Sequence, residues 1–88
     1  MIKLEINTAY YKKDTFWRQS KKESMTFYDI NEALQIFKKL SPKYYINKKD
    51  MSAIETITLT YKIELGFKRY YKTIDPITEE IETNYKED

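Results

Sequence analysis

The residues best suited to recognition in this 88-residue chain are its nine tyrosines. Six of them form three adjacent pairs, Tyr10-Tyr11, Tyr44-Tyr45 and Tyr70-Tyr71. Because successive side chains of a strand point to opposite sides of a sheet, each pair would place one ring on each face. A tyrosine ring buries a large area and keeps a hydroxyl for hydrogen bonding, so it suits both protein interfaces and base stacking. The pattern therefore indicates binding.

Catalytic chemistry has little support in the composition. The chain contains no histidine and no cysteine, the residues that most often supply acid–base and thiolate chemistry near neutral pH. Their absence also removes the usual ligands for zinc, copper and haem. A single glycine, Gly66, cannot form a phosphate-binding loop. We expect no enzyme activity, no catalytic residue, no metal site and no cofactor.

The elements that would position the tyrosines begin with a hairpin. Residues 2–11 alternate between polar and apolar types, which predicts a half-buried strand. Residues 12–14 have the length and polarity of a turn, and residues 15–20 have the composition of a returning strand. The first two strands are therefore expected to pair.

The clearest helix signal follows at Asp29, which suits an N-cap, with Glu32 three residues later. Apolar residues then recur at helical spacing as far as Leu40, and Pro42 stops the helix. The spacing predicts one amphipathic helix over residues 30–40, packed on one face of a sheet.

The second half of the chain is predicted to be mostly strand. Residues 44–47 form a short strand and residues 48–50 a turn. An unbroken strand over residues 54–74 would span roughly 70 Å, so the chain must fold back, and Gly66 is the expected pivot. Strict alternation predicts a set of inward-facing side chains before it: Ile57, Leu59, Tyr61, Ile63 and Leu65.

These elements predict an α+β fold in one domain over residues 1–88, with an antiparallel sheet of about five to six strands and one helix. The charge is divided unevenly, since residues 1–74 carry 15 basic and 8 acidic side chains and residues 75–88 carry 1 and 6. The apolar spacing in residues 75–88 fits either a hairpin strand or a short helix. In the hairpin, Glu80 and Glu82 would pair with basic residues of the preceding strand: Lys68, Arg69 and Lys72.

Three interpretations of the tyrosines stay open. They could bind a protein partner, they could stack bases beside lysines in a nucleic-acid-binding module, or they could simply cover a small core. The scarcity of arginine, two residues, and the acidic C-terminal segment argue against nucleic acid. The candidate partner-binding residues are Tyr11, Trp17, Tyr45, Tyr70, Tyr71, Lys68, Arg69 and Lys72.

Residue usage also indicates a genomic context. Lys, Ile, Tyr and Asn, whose codons are rich in A and T, supply 38 of the 88 residues. A short chain of this composition, with a hairpin, a helix like Tyr28 to Leu40 and further hairpins, resembles the accessory proteins of phages and mobile elements in low-G+C bacteria. That class includes anti-CRISPR and other anti-defence inhibitors. The resemblance implies a non-catalytic inhibitor or adaptor that binds and blocks a host protein or defence complex, including a nucleoprotein.

Location and assembly follow from simpler features. The lack of cysteine favours a reducing compartment, and no apolar run is long enough for a signal-peptide core or a membrane span. We expect a cytoplasmic protein that does not bind a membrane. An uncovered strand edge would allow self-association, so the chain is expected to be a monomer or a homodimer.

Overall fold

The computed structural model describes residues 1–13, 15–46 and 51–86, with the backbone alone at positions 17, 21 and 22. It is an α+β structure of antiparallel sheet and one helix, as the sequence predicted. The elements in these ranges are β1 (Ile2–Lys12), β2 (Thr15–Phe27), α1 (Ile30–Lys39), β3 (Tyr44–Ile46), β4 (Met51–Ile63), β5 (Gly66–Ile74) and β6 (Ile81–Thr83). The turn predicted at residues 48–50 lies outside the described residues, as does Asp14 of the first turn.

The strands form one sheet in the order β2-β1-β4-β5-β6, and β3 pairs with β4. All neighbouring strands are antiparallel. β3 pairs with the start of β4, where Tyr44 lies opposite Ile54, and β5 pairs with the remainder of β4. The sheet is larger than the sequence predicted, because β2 and β4 each run for 13 residues.

β2 departs from regular pairing at two points. Between Ile6 and Asn7 of β1 the partner strand advances by two residues, which leaves position 22 as an extra residue. The same irregularity between Tyr10 and Tyr11 leaves position 17 extra. Each irregularity is a β-bulge, which bends a strand and increases its local twist.

Helix α1 begins at an N-cap, as predicted. The side chain of Asp29 accepts a hydrogen bond of 2.9 Å from the Asn31 amide, and at the other end the Leu40 amide donates to the Ile36 carbonyl at 3.1 Å. The helix packs on one face of the sheet and completes the core, which consists of Leu4, Ile6, Ala33, Phe37, Ile57 and Leu59.

The two faces of the sheet differ in cover. On β1 and β4 the buried side chains alternate with half-exposed ones, so all buried residues lie on the side that carries α1, which we call the helix face. The opposite side, which we call the open face, includes Glu5, Asn7 and Thr58, none of them buried. The helix thus covers one face of the sheet, and the opposite face is uncovered.

α1 covers only the middle of the helix face. Ten helical residues rise about 15 Å, whereas the 13 residues of β4 extend about 43 Å, and the molecule is 45 Å long. The buried positions of β4 therefore end at Leu59. The prediction that Ile63 and Leu65 face inward is wrong, since they are 42% and 95% exposed.

The chain reverses direction at Gly66, as predicted. Gly66 has a φ of 144°, a conformation that other residues rarely adopt, and it pairs with Ile63 across the β4–β5 turn. A second hairpin joins β5 to β6, in which Ile74 lies opposite Ile81. The C-terminal segment is therefore a hairpin strand and not a short helix.

The ion pairs expected from this second hairpin do not form. Glu82 lies opposite Thr73 instead of a basic residue. Among the described residues, the one ion pair resolved joins Lys3 to Glu5 at 3.7 Å. The acidic segment therefore does not neutralise β5 in the way the sequence indicated, because the register places its carboxylates beside threonine and beyond the strand end.

Candidate protein-binding surface

β5 carries five of the predicted partner-binding residues, and its pleat divides them. Register and alternation place Lys68, Tyr70 and Lys72 on the helix face, whereas Arg69 and Tyr71 lie on the open face. The structure thus does not bring the five side chains together into one surface.

Lys72 contacts the end of α1. Its Nζ atom donates hydrogen bonds to the carbonyl oxygens of Phe37, Lys38 and Leu40, at 2.7, 3.1 and 3.1 Å. The last carbonyls of a helix lack partners within the helix and carry partial negative charge. Lys72 therefore links β5 to the end of the helix, and its charge stabilises the fold.

Tyr70 belongs to an aromatic cluster at the edge of the core. Its ring centre lies 6.4 Å from that of Phe37, 6.2 Å from Tyr61 and 5.0 Å from Tyr85. A hydrogen bond with the Tyr70 hydroxyl raises the pKa of Tyr61 above its usual value. The Nζ atom of Lys68 lies 5.4 Å from the Tyr70 ring centre. These tyrosines extend the core, which agrees with the interpretation that some rings simply cover it.

The open face of β5 presents a different group, Phe67, Arg69 and Tyr71, which we call the open-face patch. Phe67 is 73% exposed and Tyr71 38% exposed. Arg69 Nε donates to Thr60 Oγ1 of β4 at 3.3 Å, which orients the guanidinium along the sheet. Beside the patch lies a shallow hollow of about 320 Å³, lined by Met1, Lys3, Glu5, Thr60, Phe67 and Arg69.

The C-terminal segment holds the backbone of this patch from its outer side. The Tyr71 amide donates to Asn84 Oδ1 at 2.8 Å, and Asn84 Nδ2 donates to the Arg69 carbonyl at 3.0 Å. The Thr83 hydroxyl also donates to the Tyr71 carbonyl. The Asn84 side chain therefore bonds to the β5 backbone just beyond the point where β6 ends. As a result, β5 makes hydrogen bonds along both of its edges.

The β4–β5 hairpin ends in large apolar side chains, which we call the hairpin tip: Ile63, Leu65, Phe67 and the adjoining Met1. Leu65 is 95% exposed, Met1 83% and Ile63 42%. Sequence reasoning missed this surface because the alternation of apolar residues looked like core. The length of the helix, too short to cover β4, was the signal that could have revealed it.

A second recess lies at the opposite end of the helix face, with a volume of about 530 Å³. Its walls include Tyr10 and Tyr45, and Tyr45 is 64% exposed. The carboxylate of Glu55, a residue only 8% exposed, accepts a hydrogen bond from the Lys43 amide at 3.0 Å. The Glu55 backbone amide donates to the Lys43 carbonyl at 2.9 Å. Glu55 therefore holds the chain before β3 against β4.

The remaining predicted residues lie away from the open-face patch. Tyr11 is on the open face near the far end of the sheet, edge-on to Phe16 with ring centres 5.9 Å apart. The side chain of Trp17 lies outside the described residues. Tyr44, the partner of Tyr45 in its pair, donates its hydroxyl to Glu79, and this hydrogen bond raises the pKa of Tyr44.

Neither a search for metal sites and membrane helices nor comparisons with known proteins assign a role to this chain. In the part of the chain that the structure describes, no three acidic side chains are grouped as a metal site would require, and no helix is long and apolar enough to cross a membrane. Comparisons with protein-family models, curated proteins and solved structures find no match to this chain.

Proposed function

We propose that this chain is a non-catalytic binding protein that attaches to a host protein or protein complex and blocks it, as inhibitors from phages and mobile elements do. The observation that carries the proposal is the open-face patch, where Phe67, Arg69 and Tyr71 lie side by side on an uncovered sheet surface. Arginine and aromatic residues are the types that dominate protein-interface hot spots. Contiguous exposed apolar surface marks interaction sites.

The scaffold beneath the patch supports a binding role. β5 is paired with β4 along one edge and with β6 and Asn84 along the other. The side chains therefore project from a backbone that needs no ordering when a partner arrives. Such pre-organisation lowers the entropic cost of association.

A protein partner is better supported than a nucleic acid. Nucleic-acid platforms combine stacked aromatic rings with cations on one surface. Here Lys72 bonds to carbonyl groups of α1, and Tyr70 packs against Phe37, both on the helix face. On the open face Lys3 is paired with Glu5. The basic, tyrosine-rich sheet face that a nucleic-acid module would use is thus divided between two surfaces.

The proposal is tested by affinity capture from a low-G+C bacterial lysate, with and without nuclease. We expect the wild-type chain to retain a defined protein in both conditions. The Arg69→Ala, Tyr71→Ala double variant should lose at least about tenfold in retention, because truncating each hot-spot residue costs more than about 1 kcal/mol. Ile77→Ala, which changes an 89% exposed residue in the β5–β6 turn, is the control and should bind like wild type.

Two results would contradict the proposal. One is that wild type retains no protein at all. The other is that retention disappears with nuclease while a purified oligonucleotide binds with a steep salt dependence, the signature of counterion release. That second result would establish the nucleic-acid-binding alternative.

A further inference from the structure

We infer that the hairpin tip anchors this interaction by inserting Leu65 into an apolar pocket of the partner protein whose rim is acidic. The inference rests on the proposed function, and it names the part of the surface that contributes most and the chemistry of its partner.

Leu65 lies at a position where only a partner can bury it. It lies in the turn between β4 and β5, at one end of a molecule 45 Å long, and it is 95% exposed. Gly66 follows at a φ of 144°, a backbone conformation that glycine adopts readily and that allows a tight reversal. A leucine at the apex of a paired hairpin is thus presented without cover from its own chain and can be buried only by a partner.

The charges around the tip carry the second step. Lys62, Lys68 and Arg69 flank the turn and are all exposed, with Glu64 as the single acidic residue among them. Lys62 lies directly opposite Phe67 across the hairpin, so cation and apolar ring share one end of the open face. An apolar anchor with a basic surround is complementary to an apolar pocket with an acidic rim.

The choice of a protein over an anionic membrane follows from the continuity of the tip with the open-face patch. Phe67 lies on the same face of β5 as Arg69 and Tyr71. Arg69 and Tyr71 would make no contact if only the apex entered a bilayer, whereas a protein surface can contact both the tip and these two side chains.

The test compares variants of the full chain for retention of the protein captured by wild type. Leu65→Asp should weaken retention at least about tenfold, since a buried leucine contributes that much or more. Ile77→Asp is the matched control, because Ile77 is an aliphatic residue of similar exposure, 89% against 95%, beyond the other end of β5, and this variant should not weaken retention. The Lys62→Glu, Lys68→Glu double variant should also lose about tenfold and become less sensitive to salt. Thermal melts verify that each variant is folded.

A photoreactive phenylalanine analogue in place of Leu65 then identifies the residues of the partner that surround this position. The cross-link should map to an apolar pocket with aspartate or glutamate at its rim. A cross-link to a basic or fully polar surface would overturn the inference, as would equal retention of Leu65→Asp and wild type, although the proposed function would then stand. If wild type captures nothing, both fail. Binding of wild type to vesicles of phosphatidylcholine and phosphatidylserine, abolished by Leu65→Asp, would assign the tip to lipid and also overturn it.

Discussion

The Nζ atom of Lys72 donates a hydrogen bond to the carbonyl oxygen of Phe37 at 2.7 Å, and so joins strand β5 to the last turn of helix α1. Two further carbonyl groups of the same turn accept from this ammonium. The residues concerned are far apart in the chain, so the contact ties the second half of the sheet to the helix.

Replacing Lys72 with methionine should lower the free energy of unfolding by about 1–2 kcal/mol, because the helix carbonyls lose a charged donor. Lys68→Met is the control on the same strand and face. Its Nζ lies over the Tyr70 ring, an exposed contact that contributes up to about 1 kcal/mol. Urea denaturation measures both, and equal losses would show that Lys72 has no special role at the helix end.

Two phenylalanines distinguish the core from the hairpin tip. Phe37 is fully buried and Phe67 is 73% exposed. Phe37→Ala should destabilise the chain by about 3–5 kcal/mol through lost burial and a cavity, whereas Phe67→Ala should change stability by no more than about 0.5 kcal/mol. Chemical denaturation of the two variants is the measurement. A large loss for Phe67→Ala would mean that the tip is packed in solution.

The hydrogen bonds of Asn84 should limit local opening of β5. Asn84→Ala removes both hydrogen bonds to β5, so the Tyr71 amide should exchange with deuterium faster while core amides of β4 stay protected. Asn84→Asp retains an acceptor for the Tyr71 amide and loses the donor to the Arg69 carbonyl, and should give an intermediate rate. Unchanged exchange at Tyr71 in Asn84→Ala would contradict this arrangement.

The Tyr61 hydroxyl should make the free energy of unfolding depend on pH. Its hydrogen bond with Tyr70 raises its pKa above the usual 10.0, so the folded chain keeps this proton more tightly than the unfolded chain does. The resulting stabilisation is fully present below about pH 10 and is lost as the pH rises through the raised pKa. Tyr61→Phe should therefore flatten the fall in unfolding free energy above about pH 10. Urea titrations at neutral and alkaline pH compare the two slopes, and identical slopes would contradict the prediction.

Local patterns predicted much of this fold, because each depended on a few adjacent residues. Alternation around Ile57 and Leu59 identified the buried side of β4, and Asp29 marked the helix start. Contacts between distant segments were not predictable in this way. The bond between Lys72 and α1 depends on how the helix docks across the sheet, and Lys72 was therefore assigned to a partner.

The candidate site was less predictable for the same physical reason. Periodicity specifies which side of a strand is apolar, but the exposure of Leu65 depends on how far α1 extends along that strand. Alternation correctly predicted that the rings of Tyr70 and Tyr71 point to opposite faces, but it could not show that the Tyr70 ring packs against Phe37. Phe67 was overlooked, although it lies beside Arg69 and Tyr71.

The two bulges of β2 have a consequence for how copies of this chain meet at high concentration. β2 is an edge strand of the sheet, and a long, regular edge would act as a template for endless lateral growth of the sheet. Each extra residue puts the outward amide and carbonyl groups out of step with those of an approaching strand. The longest stretch of β2 that keeps an unbroken register with β1 is Glu23–Phe27, which is too short for a continuous ribbon. The irregular pairing thus acts against fibre formation and leaves the proposed binding end of the molecule unchanged.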